Sequence, residues 1–210
     1  MNRYDVSRLN EAQFEPGSRG RVLKNLLGVY HVRGMNMIEA EKLAEATDWA
    51  IRHYSAEQQF TASDIRLLHR QWLGQVYPWA GEYRQVNIGK GGFVFSMAAQ
   101  VPRLMDEFER DFLRAYTPCS ANDRERIIDA LAIVHAELVL IHPFRDGNGR
   151  LARLFSSLMA LQAGLHLLDF SGVAGRARRE YFSAVQASMG RDYEPMREVF
   201  RSVVRRSERG

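Results

Sequence analysis

The stretch from residue 122 to residue 141 constrains this chain more than any other. Ile127, Ile128, Leu131, Ile133, Val134, Leu138, Val139, Leu140 and Ile141 occupy more than one face of a helix. A helix apolar on several faces has to be wrapped by protein on all of them. Asn122 or Asp123 can cap its start, and Pro143 lies just past its end. The fold must therefore supply several partner helices, and the rest of the sequence offers them.

Helical patterns are expected over 21–27, ending at Gly28, and over 36–53, where Met37, Ile38, Leu43, Ala46, Ala50 and Ile51 form an apolar face. A third should start behind Ser63 as cap and run from 64 to 76, burying Ile65, Leu68, Trp72 and Leu73. Others are expected over 100–116, 150–162, 176–189 and 195–206, with Gly164 closing the helix that carries Leu151, Leu154, Phe155, Leu158 and Leu161. The pattern changes once. From Tyr83 to Ser96 it alternates around Gly89-Lys90-Gly91-Gly92, a β-hairpin signal. The glycines have the composition of a phosphate loop but lack the GxxxxGK[ST] order of a Walker loop. The expected fold class is mostly α with one β-hairpin, in one domain. Residues 1–20 form a loose arm broken at Pro16-Gly17-Ser18, 21–202 the domain, and 203–210 a basic tail.

Basic residues outnumber acidic ones by 29 to 25, an excess too small to define a nucleic-acid binder. The single cysteine, Cys119, excludes an internal disulfide framework and fits a reducing compartment; its setting reads as a loop. No run reaches the roughly 18 apolar residues of a membrane span, and no apolar leader follows Met1. The expected location is the cytoplasm.

Directly after the apolar helix comes His142-Pro143-Phe144-Arg145-Asp146-Gly147-Asn148-Gly149-Arg150-Leu151-Ala152-Arg153. The first turn of the following helix carries unpaired N–H donors and a positive dipole end, an anion site. Gly147 and Gly149 let backbone approach a phosphate. Arg150 and Arg153 share one side of that helix and can grip phosphate oxygens. Asp146 suits Mg²⁺, which takes one carboxylate with phosphate oxygens and water. His142, across the loop, can accept a proton from an attacking hydroxyl when neutral. Each group also has an ordinary reading, as a helix stop, turn dipeptides or surface cations; their coincidence favours a site. His135 and His142 lie seven apart on one helical face but find no third ligand at zinc spacing, so His135 reads as a core residue.

The twelve residues satisfy HxFx[DE]GNGRxxR, and by them the chain resembles the Fic domain family, protein adenylyltransferase type. Trp79-Ala80-Gly81-Glu82-Tyr83-Arg84, then Ile88-Gly89-Lys90-Gly91 and Phe95, resemble that family's hairpin flap, and Tyr181 and Asp192 to Pro195 its later helices. The resemblance spans about residues 20–202. It implies a helical Fic fold with a hairpin flap, and transfer of AMP from ATP, with Mg²⁺, to a Tyr, Ser or Thr hydroxyl of a protein substrate. It implies His142 as general base, Asp146 as metal ligand, and Gly147, Asn148 and Gly149 as the anion hole. Arg150 would hold the γ-phosphate and Arg153 the phosphates nearer the broken bond. Lys90 and Gly91 would contact the nucleotide, with flap backbone aligning the target by strand addition, and Tyr181 would lie near adenine. Relatives often carry a polar residue where this chain has Met189.

Gly149 selects among reactions within the resemblance, because the related Doc kinases commonly carry lysine there and transfer phosphate. Many Fic proteins silence themselves with an [ST]xxxE[GN] helix. Neither end of this chain matches it, which implies a separate inhibitory protein, as in toxin–antitoxin pairs. The alternatives are a Doc-like protein kinase and a non-catalytic, nucleic-acid-associated module built on Arg197, Arg201, Arg205, Arg206 and Arg209. An intact His, Asp and arginine pair argues against the latter.

Overall fold

The computed structural model describes residues 9–90 and 93–209. Its helices are α1 (Val32–His53), α2 (Ala62–Leu73), α3 (Val101–Phe108), α4 (Arg114–Tyr116), α5 (Arg124–Ile141), α6 (Asn148–Gln162), α7 (Gly175–Ala187) and α8 (Glu194–Ser207). Two short strands, β1 (Gly89–Lys90) and β2 (Phe93–Val94), pair antiparallel in the register Gly89↔Val94 and Lys90↔Phe93. The architecture is mostly α with one hairpin, as the sequence implied.

Helix α5 is the axis. It packs against α6, α8, α3 and α7, and Leu131, Ala132, Val134 and Ala136 are wholly buried. Its N-cap is Asp123, whose carboxylate accepts the Arg126 N–H at 3.3 Å. Around it, α1 pairs with α2 and α7 with α8. Helix α3 continues through a π-helical turn, Glu109–Leu113, into α4, and Glu109 there accepts the Ala62 N–H at 2.8 Å at the start of α2.

Local chemistry overrides the sequence expectation at several points. The cap of α2 is Thr61, not Ser63: Thr61 and Asp64 exchange side-chain and backbone bonds in a capping box. No helix forms over 21–27. There Asn25 Oδ1 accepts the N–H of Leu27 and Val29 at 3.1 and 3.0 Å, and Leu23 bridges Phe14 instead. A side chain that satisfies nearby backbone donors competes with a helix for them. The described part of the arm is not loose, because Glu11 is buried and its carboxylate accepts the Gln85 N–H at 2.6 Å. That bond, with Arg84 N–H on the Pro143 carbonyl at 2.9 Å, also explains why the hairpin is short. The Arg84 and Gln85 donors that a strand would need are spent elsewhere. On α1 the buried stripe is Met35, Glu39, Ala46 and Ala50, while Met37 and Ile51 are exposed.

Candidate active site

Pro143 bars right-handed helix at the residue before it, and the chain leaves α5 through His142 in the left-handed region, at φ 52°. The imidazole turns back over the last turn. Its Nδ1–H donates to the Val139 carbonyl at 2.9 Å, since a carbonyl can only accept; in the neutral ring the lone pair then sits on Nε2. Phe95, just beyond β2, stacks on this ring with centroids 3.6 Å apart. Arg84, almost fully buried, donates its Nε–H to the His142 carbonyl at 2.7 Å and Nη1 to Val86 O at 2.9 Å. Nη2 reaches Ser96 O. One guanidinium thus ties the hairpin's two roots to the carbonyl end of α5, where a cation is favourable. Burial lowers its pKa, and nearby Glu11 partly compensates.

The turn from Phe144 to Asn148 is held from two sides. Asn148 is buried with its Oδ1 on the Phe144 N–H and its Nδ2 on the Phe144 carbonyl, both at 2.8 Å. Its side chain therefore shapes the loop, and its backbone is what it can offer an anion. His69, wholly buried on α2, accepts the Gly81 N–H at Nδ1 (2.8 Å) and donates Nε2–H to the Asp146 carbonyl (3.1 Å). It lies flat on Phe144 at 3.9 Å. Burial lowers its pKa to about 4, outweighing the Asp146 carbonyl bond, so it is neutral.

The two glycines differ in what demands them. Gly147 is the N-cap of α6 at φ +83°, and a Cβ there would stand 2.6 Å from the Trp72 ring. At Gly149 a Cβ would meet no protein atom within 4 Å. The protein's own packing requires the first glycine, whereas the second borders open space. The first α6 bond is Leu151 N–H to Gly147 O at 2.9 Å, so Asn148, Gly149 and Arg150 have no carbonyl behind their N–H groups. Asp146 Oδ1 accepts the Gly147 N–H at 2.6 Å while half of its side chain faces solvent.

Arg150 lies over Trp72 at 4.7 Å. It donates Nη1–H to Glu39 Oε2 at 2.6 Å and stands 3.8 Å from Asp146. Arg153 has no carboxylate partner among the described residues; burial lowers its pKa, and Arg150 and Arg178 lower it further. A desolvated guanidinium beside two other cations attracts an anion. Tyr181, expected beside adenine, is buried, and its O–H donates to His135 Nε2 at 2.8 Å. His135 Nδ1–H donates to Ser156 Oγ at 2.9 Å and the Ser156 O–H to the Ala152 carbonyl at 2.8 Å. Burial drops the pKa of His135 to about 3. This neutral chain braces the helix carrying Arg153, and His135 is a core residue as expected.

Lys90, expected in the glycine-rich turn, falls on β1, and Gly91 lies outside the described residues. Cys119 lies between helices in a loop, as expected, but is buried, and burial lifts its thiol pKa to about 11, which makes it a poor nucleophile. Arg197 and Arg201 are spent on Asp129, Glu194, Glu125 and Glu198, leaving a shorter basic surface on α8 than the sequence suggested. Sequence reasoning missed Glu39, His69 and the role of Arg84. Glu39 left one signal: it falls on the apolar stripe 35–39–43–46–50 of α1.

A buried helix ending on a left-handed histidine, a glycine nest opening the next helix, and a hairpin over both define a Fic fold. The Fic/DOC family model matches residues 59–160 of the chain. It is 28% identical to the protein adenylyltransferase VbhT of Bartonella schoenbuchensis over 80% of this chain and 34% of that one. It is 35% identical to the protein adenylyltransferase Fic of Drosophila ananassae over 56% of this chain and 24% of that one. The chain thus spans about a third and a quarter of these two relatives. It covers 88% of the probable protein adenylyltransferase Fic of Salmonella typhimurium, at 28% identity and over 87% of its own length. Among solved structures, the N-terminal Fic domain of a Bartonella effector protein from Bartonella sp. AR 15-3 superposes with a TM-score of 0.75, covering 93% of this chain and 92% of that one at 22% identity. The BepC protein of Bartonella tribocorum, solved with bound AMPPNP, has a TM-score of 0.69 over 86% and 91% of the two chains, also at 22% identity.

Proposed function

We propose that this protein is an adenylyltransferase that moves AMP from ATP to a Tyr, Ser or Thr hydroxyl of another protein. The observation that carries the reading is the joint geometry of loop 142–153: His142 with its Nδ1–H fixed on Val139 stands across a turn of open backbone donors from Arg150 and Arg153. The names of the relatives point the same way.

In this reading ATP lies with its phosphates on the N–H groups of Asn148, Gly149 and Arg150 and between the two guanidinium groups. The target hydroxyl oxygen bonds to the α-phosphorus while the α–β bridging bond breaks and pyrophosphate departs. His142 Nε2 takes the hydroxyl proton. Phe95 and the Val139 carbonyl hold the ring in position, Lys90 and Gly91 contact the nucleotide, and the flap backbone aligns the target strand by pairing. Asp146 fits Mg²⁺, since its carboxylate is half exposed beside the nest and one such ligand with phosphate oxygens and water suffices. The ion would neutralise charge on the phosphates. ATP use and one buried thiol fit a cytoplasmic protein.

Gly149 favours AMP transfer over phosphate transfer, because the related Doc kinases, which transfer phosphate, commonly carry lysine at this position. The reading extends to control by a separate inhibitory protein, in the manner of an antitoxin. Incubation with Mg²⁺, cell lysate and ATP labelled in the adenine should label a protein band, and H142A should abolish it. Label arriving only from the γ-phosphate would make the enzyme a kinase. Normal growth of cells overexpressing the chain alone would count against the toxin reading.

A further inference from the structure

Glu39 is the least expected residue near this site. It comes from α1, 111 positions before its partner Arg150, and is only 3% exposed. Each of its three oxygens accepts a hydrogen bond. Oε1 accepts the Tyr77 O–H at 2.7 Å, Oε2 accepts Arg150 Nη1–H at 2.6 Å, and its main-chain carbonyl accepts the Trp72 indole N–H at 2.8 Å. Trp72 in turn lies under the Arg150 guanidinium and fills the place of a Cβ on Gly147. One bracket of Glu39, Trp72 and Tyr77 therefore fixes both the cation and the nest.

We infer that Glu39 is a positioning residue that orients Arg150 toward the nucleotide polyphosphate; this rests on the nucleotide reading above. A buried ion pair is a weak source of stability, because desolvation offsets most of the Coulomb gain. What the arrangement does supply is direction. Guanidinium has five N–H donors in a fixed fork. Glu39 takes one at Nη1 and leaves the Nη2 side facing Asp146, 3.8 Å away at the mouth of the nest. A phosphate arriving there meets an arginine whose side-chain entropy has already been lost. The opposite role, a carboxylate that keeps phosphate off Arg150, would need Glu39 to swing aside. Tyr77 and the wholly buried Trp72 hold it in place, and the window Met35–Ala40 lacks the [ST]xxxE[GN] pattern.

Calorimetric titration of the full chain with ATP and with AMP tests this, using E39Q, R150A and the double variant. E39Q should weaken ATP about tenfold, the scale of one charge-assisted contact, and leave AMP within about twofold. In the R150A background E39Q should change neither, because coupled residues are not additive. If E39Q does not fold, Y77F, which removes only the second hold on the carboxylate, should show the same ATP-selective loss at smaller size. Tighter ATP binding in E39Q, equal losses for ATP and AMP, or additive losses in the double variant would overturn the role of Glu39 alone. A wild-type chain that binds neither nucleotide would overturn the nucleotide reading and this role together.

Discussion

The ring of Phe95 lies on the imidazole of His142, 18° from parallel, so the hairpin that would present a target also steadies the group that would take its proton. Removing Phe95 takes away one hold on the ring and leaves the Val139 bond in place. F95A should lower kcat about tenfold to a hundredfold, since a base held loosely loses much of its orientation advantage. ATP affinity should stay within about twofold. Steady-state kinetics at varied ATP checks the split.

Gly147 and Gly149 should separate stability from function. G147A puts a methyl into the Trp72 ring at a left-handed position and should cost about 2–4 kcal/mol of stability, from strain and overpacking together. G149A meets no protein atom and should leave the urea midpoint nearly unchanged, while ATP affinity falls as its methyl enters the phosphate space. Denaturation curves and nucleotide titrations of both variants check this.

Acid should unfold the protein partly through two histidines. His69 and His135 are buried neutral with folded pKa values lowered to about 4 and about 3, against an unfolded value of about 6.5. Their stabilising contribution is fully present above pH 6.5. It declines as pH falls toward 4, because the unfolded chain takes up protons that the folded one refuses, at about 1.4 kcal/mol per pH unit for each fully titrating group. Glu11 acts in the opposite direction, since burial raises its folded pKa. Urea midpoints from pH 7 to 4 should fall, and H135Q should flatten the slope.

Tyr181 should behave as a brace. Y181F leaves His135 Nε2 without its donor and should destabilise by about 1–3 kcal/mol, with nucleotide affinity shifting through Arg153 and not through adenine. Comparing ATP with GTP binding checks it: preference for adenine should be unchanged.

The loop from His142 to Arg153 was legible in sequence because its chemistry is contiguous, and the wrapped helix before it because apolar residues on several faces leave few alternatives. What lay beyond sequence comes from partners far apart along the chain. His69 reaches Asp146 across 77 positions and Arg84 reaches His142 across 58. His69 is not marked locally, since a histidine in an amphipathic stretch reads as surface, and Arg84 was legible only as part of the flap motif, without its partners. The hairpin came out shorter than its alternation suggested because Glu11 and Pro143 capture donors of its first half. Glu39 alone was signalled, as a carboxylate on an apolar stripe.

Mass spectrometry of lysate proteins after reaction with ATP and Mg²⁺ tests the central claim most directly, with H142A run in parallel. The predicted result is an adenylyl group on a Tyr, Ser or Thr hydroxyl with the wild-type chain and none with H142A. A phosphoryl group in its place, or equal adenylylation by H142A, would contradict it.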